Sequence, residues 1–256
     1  EETIVNYLTT NNLFSQAEKD GSGLYFIIDD AGDVNNRPTL TQNVVVRYEG
    51  LLIDGTVFDA VGAGDSLIFP LANLIAGWQI GLQKIGAGGS IRLFVPSGLG
   101  YGDRRVGNIP ANSVLIFSID LLDVFTQSER DEQLIVDFLM TNDLLDQAVR
   151  DPSGLYYIID DAGTPGTNPV GSSFIELNYT GMLLNGTVFD QSGAGTPAMF
   201  QLGSLIQGWQ IGLPKIGEEG EIRLFIPSAL GYGNIRTGAI PPNSVLLFDI
   251  ELLEVS

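Results

Sequence analysis

The sequence predicts an α+β protein: two copies of one antiparallel β-sheet domain, each sheet wrapped around a short helix and preceded by a short N-terminal helical segment. Three features lead to this. The chain repeats itself at a fixed interval, its apolar runs have strand length and end at turn residues, and a single helical stretch interrupts the strands of each copy.

The repeat is direct. GLYFIIDDAG begins at Gly23 and returns as GLYYIIDDAG at Gly154, an offset of 131 residues. The same offset joins DGTVFD at Asp54 to NGTVFD at Asn185, GWQIGL at Gly77 to GWQIGL at Gly208, and IRLFVPSGLGYG at Ile91 to IRLFIPSALGYG at Ile222. Thr3–Val124 therefore aligns with Leu134–Val255 without a gap, and the expected domains are 1–125 and 126–256. The polar segment Thr126–Gln133 is the expected connection, running into the first turn of the next helix. A chain of 256 residues suits two domains of about 100–150 residues each.

Each copy opens on apolar residues at helical spacing: Ile4, Val5, Leu8, then Leu13, Phe14 and Ala17, and in the second copy Leu134, Ile135, Phe138, Leu139, then Leu144, Leu145 and Ala148. Strands follow at LYFII, VVVRYEG, TVFD, SIRLFVP and SVLIFSIDLLDV. Asp54-Gly55 and Asn185-Gly186, set between apolar runs, predict primed hairpin turns. The one helix of each sheet is expected over about Leu74–Ile85 and Leu205–Ile216, enough to cover one face but too little for a parallel βαβ architecture. Asp29-Asp30 and Asp160-Asp161 run into Ala-Gly and read as turns, since no D-x-D-x-D-G calcium loop follows.

Composition removes whole classes of chemistry. The chain has no His and no Cys, which excludes thiol nucleophiles, Ser-His-Asp triads and imidazole acid–base catalysis. No metal and no cofactor is expected. Asp plus Glu number 31 against 12 for Lys plus Arg, a formal charge of −19, so the chain repels nucleic acid and anionic lipid. Apolar residues make up 44%, which fits packed cores, and no apolar run reaches the roughly 18 residues of a membrane span.

In the second copy the stretches NYTGMLLNGTVFD around Tyr179, FQLGSLIQGW, LGYG and AIPPNSVLLFDIEL, with counterparts at the same offset in the first, stand in an order that closely resembles the FKBP-type peptidyl-prolyl cis-trans isomerases. The resemblance covers about the last ninety residues of each copy. It implies an FKBP-like sheet and, in the second copy, a pocket lined by Tyr179, Phe189, Asp190, Phe200, Leu205, Ile206, Trp209, Tyr232, Ile240 and Phe248, with Trp209 as its floor. In the first copy the matching residues are Tyr48, Phe58, Asp59, Phe69, Leu74, Ile75, Trp78, Tyr101, Ile109 and Phe117. Taken singly, an aromatic at alternate strand positions is ordinarily core; the joint pattern is what implies a ligand pocket. The resemblance further implies that the Tyr232 hydroxyl with the Ile240 amide, and Tyr101 with Ile109, hold the carbonyls of a bound peptide.

The implied chemistry suits a chain without His or Cys, because an Xaa-Pro bond isomerises by rotation over a barrier of about 18–20 kcal/mol with no covalent step. Some positions depart from the family. Gly64 and Gly195 stand near the place of an Arg that would pair with the pocket Asp, and Leu67 and Ala198 replace an aromatic, which predicts a wider wall and altered binding of macrolide inhibitors. Ala72, Ala111 and Ser118 of the first copy match Gly203, Pro242 and Asp249 of the second, and Arg104-Arg105 match Ile235-Arg236, so the second domain is expected to be the more active. The expected partners are proline-containing unfolded or nascent polypeptides. The alternative function is an apolar-segment binding module or holdase chaperone with little turnover. Similarity to exported bacterial relatives, together with a start at Glu1, predicts the periplasm or outer membrane, a removed leader, and contact with a membrane only through a lipid anchor.

Overall fold

The computed structural model describes residues 1–193 and 195–256, which divide into two compact units, Glu1–Thr126 and Gln127–Ser256. In the first unit a helix α1 (Glu2–Thr10) precedes strands β1 (Glu18–Lys19), β2 (Tyr25–Asp30), β3 (Asn43–Leu52), β4 (Val57–Ala60) and β5 (Leu67–Pro70). Helix α2 (Ala76–Leu82) and strands β6 (Ser90–Val95) and β7 (Leu115–Phe125) complete it. The second unit repeats the series as α3 (Gln127–Thr141), β8 (Val149–Arg150), β9 (Tyr156–Asp161), β10 (Phe174–Leu183), β11 (Val188–Gln191), β12 (Ala198–Gln201), α4 (Gln207–Gly212), β13 (Gly220–Ile226) and β14 (Leu246–Val255).

Each unit is one antiparallel sheet. The order is β1-β2-β6-β7-β3-β4 with β5 also on β3, and in the second unit β8-β9-β13-β14-β10-β11 with β12 also on β10. Register is preserved between the copies: Gly50 faces Phe117 as Gly181 faces Phe248, and Tyr48 faces Ile119 as Tyr179 faces Ile250. One long strand, β3 or β10, thus carries two short strands along one side.

Both faces of each sheet are covered, which explains why runs such as LYFII read as continuously apolar. Leu24, Phe26, Val44, Val46, Leu93 and Phe117 pack with Trp78 and Leu82 on the α2 side. On the opposite face Tyr25, Ile27, Phe94 and Ile116 pack with Ile4 and Leu8 of α1. In the second unit Ile135 and Leu139 of α3 meet Tyr156, Ile158, Phe225 and Leu247 in the same way. Glycines set the closeness of α2 to the sheet: a Cβ at Gly77 would lie 2.6 Å from Val95 Cγ1, and one at Gly208 the same distance from Ile226 Cδ1.

Several boundaries differ from the sequence expectation. Helices α2 and α4 are shorter than Leu74–Ile85 and Leu205–Ile216, because Leu74, Ile75, Leu205 and Ile206 are extended. Gln127–Gln133 forms the opening turns of α3 rather than a connection. The N-terminal helices stop at Thr10 and Thr141, where Asn12 and Asp143 take positive φ and the Leu13 and Leu144 amides donate back to the Leu8 and Leu139 carbonyls. Phe14, expected on the helix, follows it and is exposed. At the hairpins only Gly55 and Gly186 have positive φ, while Asp54 and Asn185 do not. Leu52 accepts from the Gly55 amide and its own amide donates to Thr56, so each loop has three residues and ends in a left-handed glycine, not a primed two-residue turn.

Candidate functional site

The α2 helix begins where the sheet opens, and its first turn places Trp78 under a cleft whose walls come from β3, β4, β5 and β7. In the first unit the cleft is about 260 Å³ and is lined by Tyr48, Phe58, Asp59, Phe69, Asn73, Leu74, Ile75, Trp78, Tyr101 and Phe117. In the second it is about 180 Å³ and is lined by Tyr179, Asp190, Phe200, Leu205, Ile206, Trp209, Tyr232 and Phe248. Phe189 stands behind that lining, its ring edge-on to Phe248 at 5.5 Å. Ile109 borders an adjoining depression beside Phe58, Asp59 and Tyr101, and Ile240 is 4% exposed within the core of its unit.

The floor is an aromatic lattice. Trp78 meets Tyr48 at 5.0 Å and Phe117 at 5.2 Å, and Trp209 meets Tyr179 at 5.3 Å and Phe248 at 5.1 Å, all close to perpendicular. Edge-to-face rings resist rotation and keep a flat apolar surface in place. Gly50 and Gly181 make room for it, since a Cβ at Gly181 would lie 2.6 Å from Phe248 and 2.8 Å from Phe189. Both indole N–H groups, Trp78 Nε1 and Trp209 Nε1, are buried without a partner among the described residues. A buried donor left unpaired costs about 1–3 kcal/mol, and both copies retain it.

The pocket carboxylates are held by tyrosine. The Tyr48 hydroxyl donates to Asp59 Oδ2 at 2.6 Å, and the Tyr179 hydroxyl to Asp190 Oδ2 at 2.8 Å. Asp190 Oδ1 also accepts from the Gln191 amide at 3.0 Å. The absent arginine at Gly64 and Gly195 therefore does not leave these carboxylates unanchored. Burial, then the bond to Asp190, pushes the Tyr179 hydroxyl up to about 12, and Tyr48 is raised by burial and Asp59 in the same way. Burial and the Asp190 charge also raise Tyr232. All three stay protonated donors at neutral pH.

The free donors differ in part from those the resemblance implied. The Ile109 amide donates to the Val106 carbonyl at 2.8 Å and the Ile240 amide to the Thr237 carbonyl at 2.9 Å, so neither is available to a ligand. Ile75 and Ile206, by contrast, cap the N-termini of α2 and α4 from within the cleft. Among the described residues their amides have no acceptor, the usual state of the first N–H groups of a helix. Tyr101 and Tyr232, 37% and 36% exposed, keep their hydroxyls at the rim with no acceptor among the described residues. The donors facing the cleft are thus Ile75 with Tyr101, and Ile206 with Tyr232. Asn73 is a lining residue the sequence reading missed. Leu67 and Ala198 line neither cleft, so their size does not set its width.

A larger depression of about 610 Å³ lies on the second sheet, bounded by Asp160, Asn178, Thr180, Glu221, Arg223, Asp249 and Glu251. Its walls are polar side chains, with Arg223 already paired to Asp160 at 2.8 Å. Tyr179, Ile222 and Ile250 also line it, but it has no aromatic floor like those beneath the two smaller clefts, which are the candidate site.

Residues 34–122 and 166–253 each match the profile of the FKBP-type peptidyl-prolyl cis-trans isomerases, which places both clefts within matched sequence. The FkpA isomerase of Escherichia coli K12 is 44% identical over 104 residues, 40% of this chain and 38% of that protein. FkpA of Aeromonas hydrophila is 39% identical over 117 residues, 45% of this chain and 43% of its own length. The chain spans less than half the length of these curated relatives. Among solved structures, the crystal structure of FkpA from Escherichia coli shares 34% identity at a TM-score of 0.44, over 51% of this chain and 62% of that one.

Proposed function

The chain belongs to the FKBP-type peptidyl-prolyl cis-trans isomerase family, and on that premise we propose that each unit isomerises Xaa-Pro bonds in unfolded or nascent polypeptides, the second unit faster than the first. The units act as separate domains, each with its N-terminal helix. The observation that carries the reading is the pairing of an aromatic floor with two free donors at the mouth, Ile206 N–H and Tyr232 O–H. The prolyl ring lies against Trp209, between Phe200 and Phe248, where water is excluded. Rotation about the C–N bond removes amide resonance and makes the group less dipolar, so a dry pocket favours the twisted state over the planar one. The Ile206 amide and the Tyr232 hydroxyl hold peptide carbonyls on either side of the rotating bond, which fixes one half of the substrate while the other turns. Nothing is protonated and no covalent bond forms.

Similarity to the FkpA proteins supports the periplasm or outer membrane as the site of action, a chaperone role toward unfolded clients, and macrolides as competitors for the clefts. Protease-coupled isomerisation of short Xaa-Pro peptides tests the activity. Wild type is expected to accelerate the cis-to-trans step above the blank at every Xaa, and a rate equal to the blank would leave the clefts as binding sites without turnover.

A further inference from the structure

Asp131 is a charged-type side chain with no exposure to solvent, and it lies on α3, outside the sequence that matches the family. Among the described residues its carboxyl accepts three hydrogen bonds. Oδ2 accepts from the Ser228 amide at 2.8 Å and from the Ser228 hydroxyl at 2.6 Å, and Oδ1 accepts from Gln127 Nε2 at 2.7 Å. Burying a carboxyl is costly unless its acceptor sites are filled, so a site satisfied this fully acts as a rigid link between α3 and the turn at Ser228.

That turn leads directly to the cleft. The Ser228 carbonyl accepts from the Gly231 amide at 3.0 Å and from the Gly233 amide at 2.8 Å, the two residues that flank Tyr232. Gly231 adopts φ −109 and ψ −116, and Gly233 has φ +60. A positive φ is a conformation that ordinary residues avoid, so at Gly233 the path holding Tyr232 depends on the bond to the Ser228 carbonyl. In the first unit the same Ser97 carbonyl accepts from Gly100 and Gly102 around Tyr101.

We propose that Asp131 is a positioning residue for the second cleft, clamping Ser228 so that the Tyr232 hydroxyl is fixed at the rim. This rests on the isomerase reading of that cleft only for its effect on turnover; the clamp itself is a statement about Tyr232. Misplacing a catalytic donor through a distant support costs about tenfold or more in rate.

The test uses the full chain with the first cleft disabled by Phe58→Ala and Tyr101→Ala, so that peptide turnover reports the second. Asp131→Ala is expected to lower kcat/KM about tenfold, mostly through kcat, and to add less than about twofold when Tyr232 is already Phe, because both changes then act through one group. Asp131→Asn, whose amide oxygen still accepts from the Ser228 amide, is expected to recover most of the rate. An unchanged kcat/KM in Asp131→Ala, or the same factor lost in the Tyr232→Phe background, would overturn the proposal. Should Asp131→Ala fail to fold, Ser228→Ala, which removes the hydroxyl that Asp131 Oδ2 accepts from, passes through the same cycle and is judged by the same criteria. Fluorotyrosine placed at position 232 gives a readout independent of turnover. Its 19F resonance is expected to shift and broaden in Asp131→Ala, and a resonance that does not move overturns the clamp even if the chain proves to have no isomerase activity.

Discussion

The two clefts share a floor and differ at the rim. Trp78 and Trp209 stand at the same place under the same ring lattice, with Tyr48 and Tyr179, Phe117 and Phe248, and the paired Asp59 and Asp190 in matching geometry. At the rim, Arg104-Arg105 stands where the second copy has Ile235-Arg236, and Asn73 is in the lining of the first cleft and its counterpart Ser204 is not in that of the second. The floor belongs to the core, where a change of one methyl group disturbs every neighbour, while loop side chains vary without cost to packing. Duplication has therefore preserved what receives the prolyl ring and left room to vary what meets the rest of the peptide.

The sharpest way to break this comparison is to push on the floor. Gly50→Ala and Gly181→Ala each drive a methyl group into the phenylalanine pair above, at 2.7 Å from Phe58 in one copy and 2.6 Å from Phe248 in the other. Overpacking of this kind costs about 1–3 kcal/mol, and equal losses are expected for the two substitutions in chemical denaturation. A loss confined to one unit would show that the floors are not equivalent.

A smaller effect is expected at the tyrosine–aspartate pairs. Tyr48→Phe and Tyr179→Phe remove one hydrogen bond each and should lower stability by about 1 kcal/mol, again by similar amounts. Peptide titrations followed by Trp78 or Trp209 fluorescence check whether the freed carboxylate weakens binding in both clefts.

Acid should act on the two units alike. Hydrogen bonds from Lys84 and from Lys215, with the Ser22 and Ser153 amides, hold Asp20 and Asp151 at about 2, below the ordinary 3.8. Because the folded value is the lower one, each pair stabilises its unit above about pH 4, and that contribution is lost as the pH falls toward 2. These side chains are about a quarter exposed or less, so each contribution is no more than about 1 kcal/mol after solvent screening. Asp151→Asn is expected to flatten the pH dependence of urea unfolding below pH 4 for the second unit, and Asp20→Asn for the first; an unchanged slope would remove these pairs from the account.

Much of this architecture was readable in the chain itself, because a fixed offset and period-two apolar runs determine which residues share a face. The aromatic lining was readable for the same reason, and the sheet brings Tyr179, Phe200, Trp209, Tyr232 and Phe248 to one cleft. The donors were not. Whether an amide is free depends on which turn consumes it: Ile109 and Ile240 spend theirs on Val106 and Thr237, while those of Ile75 and Ile206, the caps of α2 and α4, have no acceptor among the described residues. The helix-capping position just before Gly-Trp was the available signal, since the first amides of a helix lack acceptors by construction. Asp131 was hidden for a different reason: within a polar segment resembling a linker, nothing local marks a carboxyl that a serine 97 residues later will bury.

The central claim is that both clefts turn over prolyl bonds and that the second does so faster. Protease-coupled isomerisation of one Xaa-Pro peptide series by wild type, by Phe58→Ala with Tyr101→Ala, and by Phe189→Ala with Tyr232→Ala tests it most directly. The account predicts acceleration by wild type, most of it surviving the first pair of substitutions and most of it lost with the second. Acceleration that survives the second pair intact, or a wild-type rate equal to the blank, would contradict it.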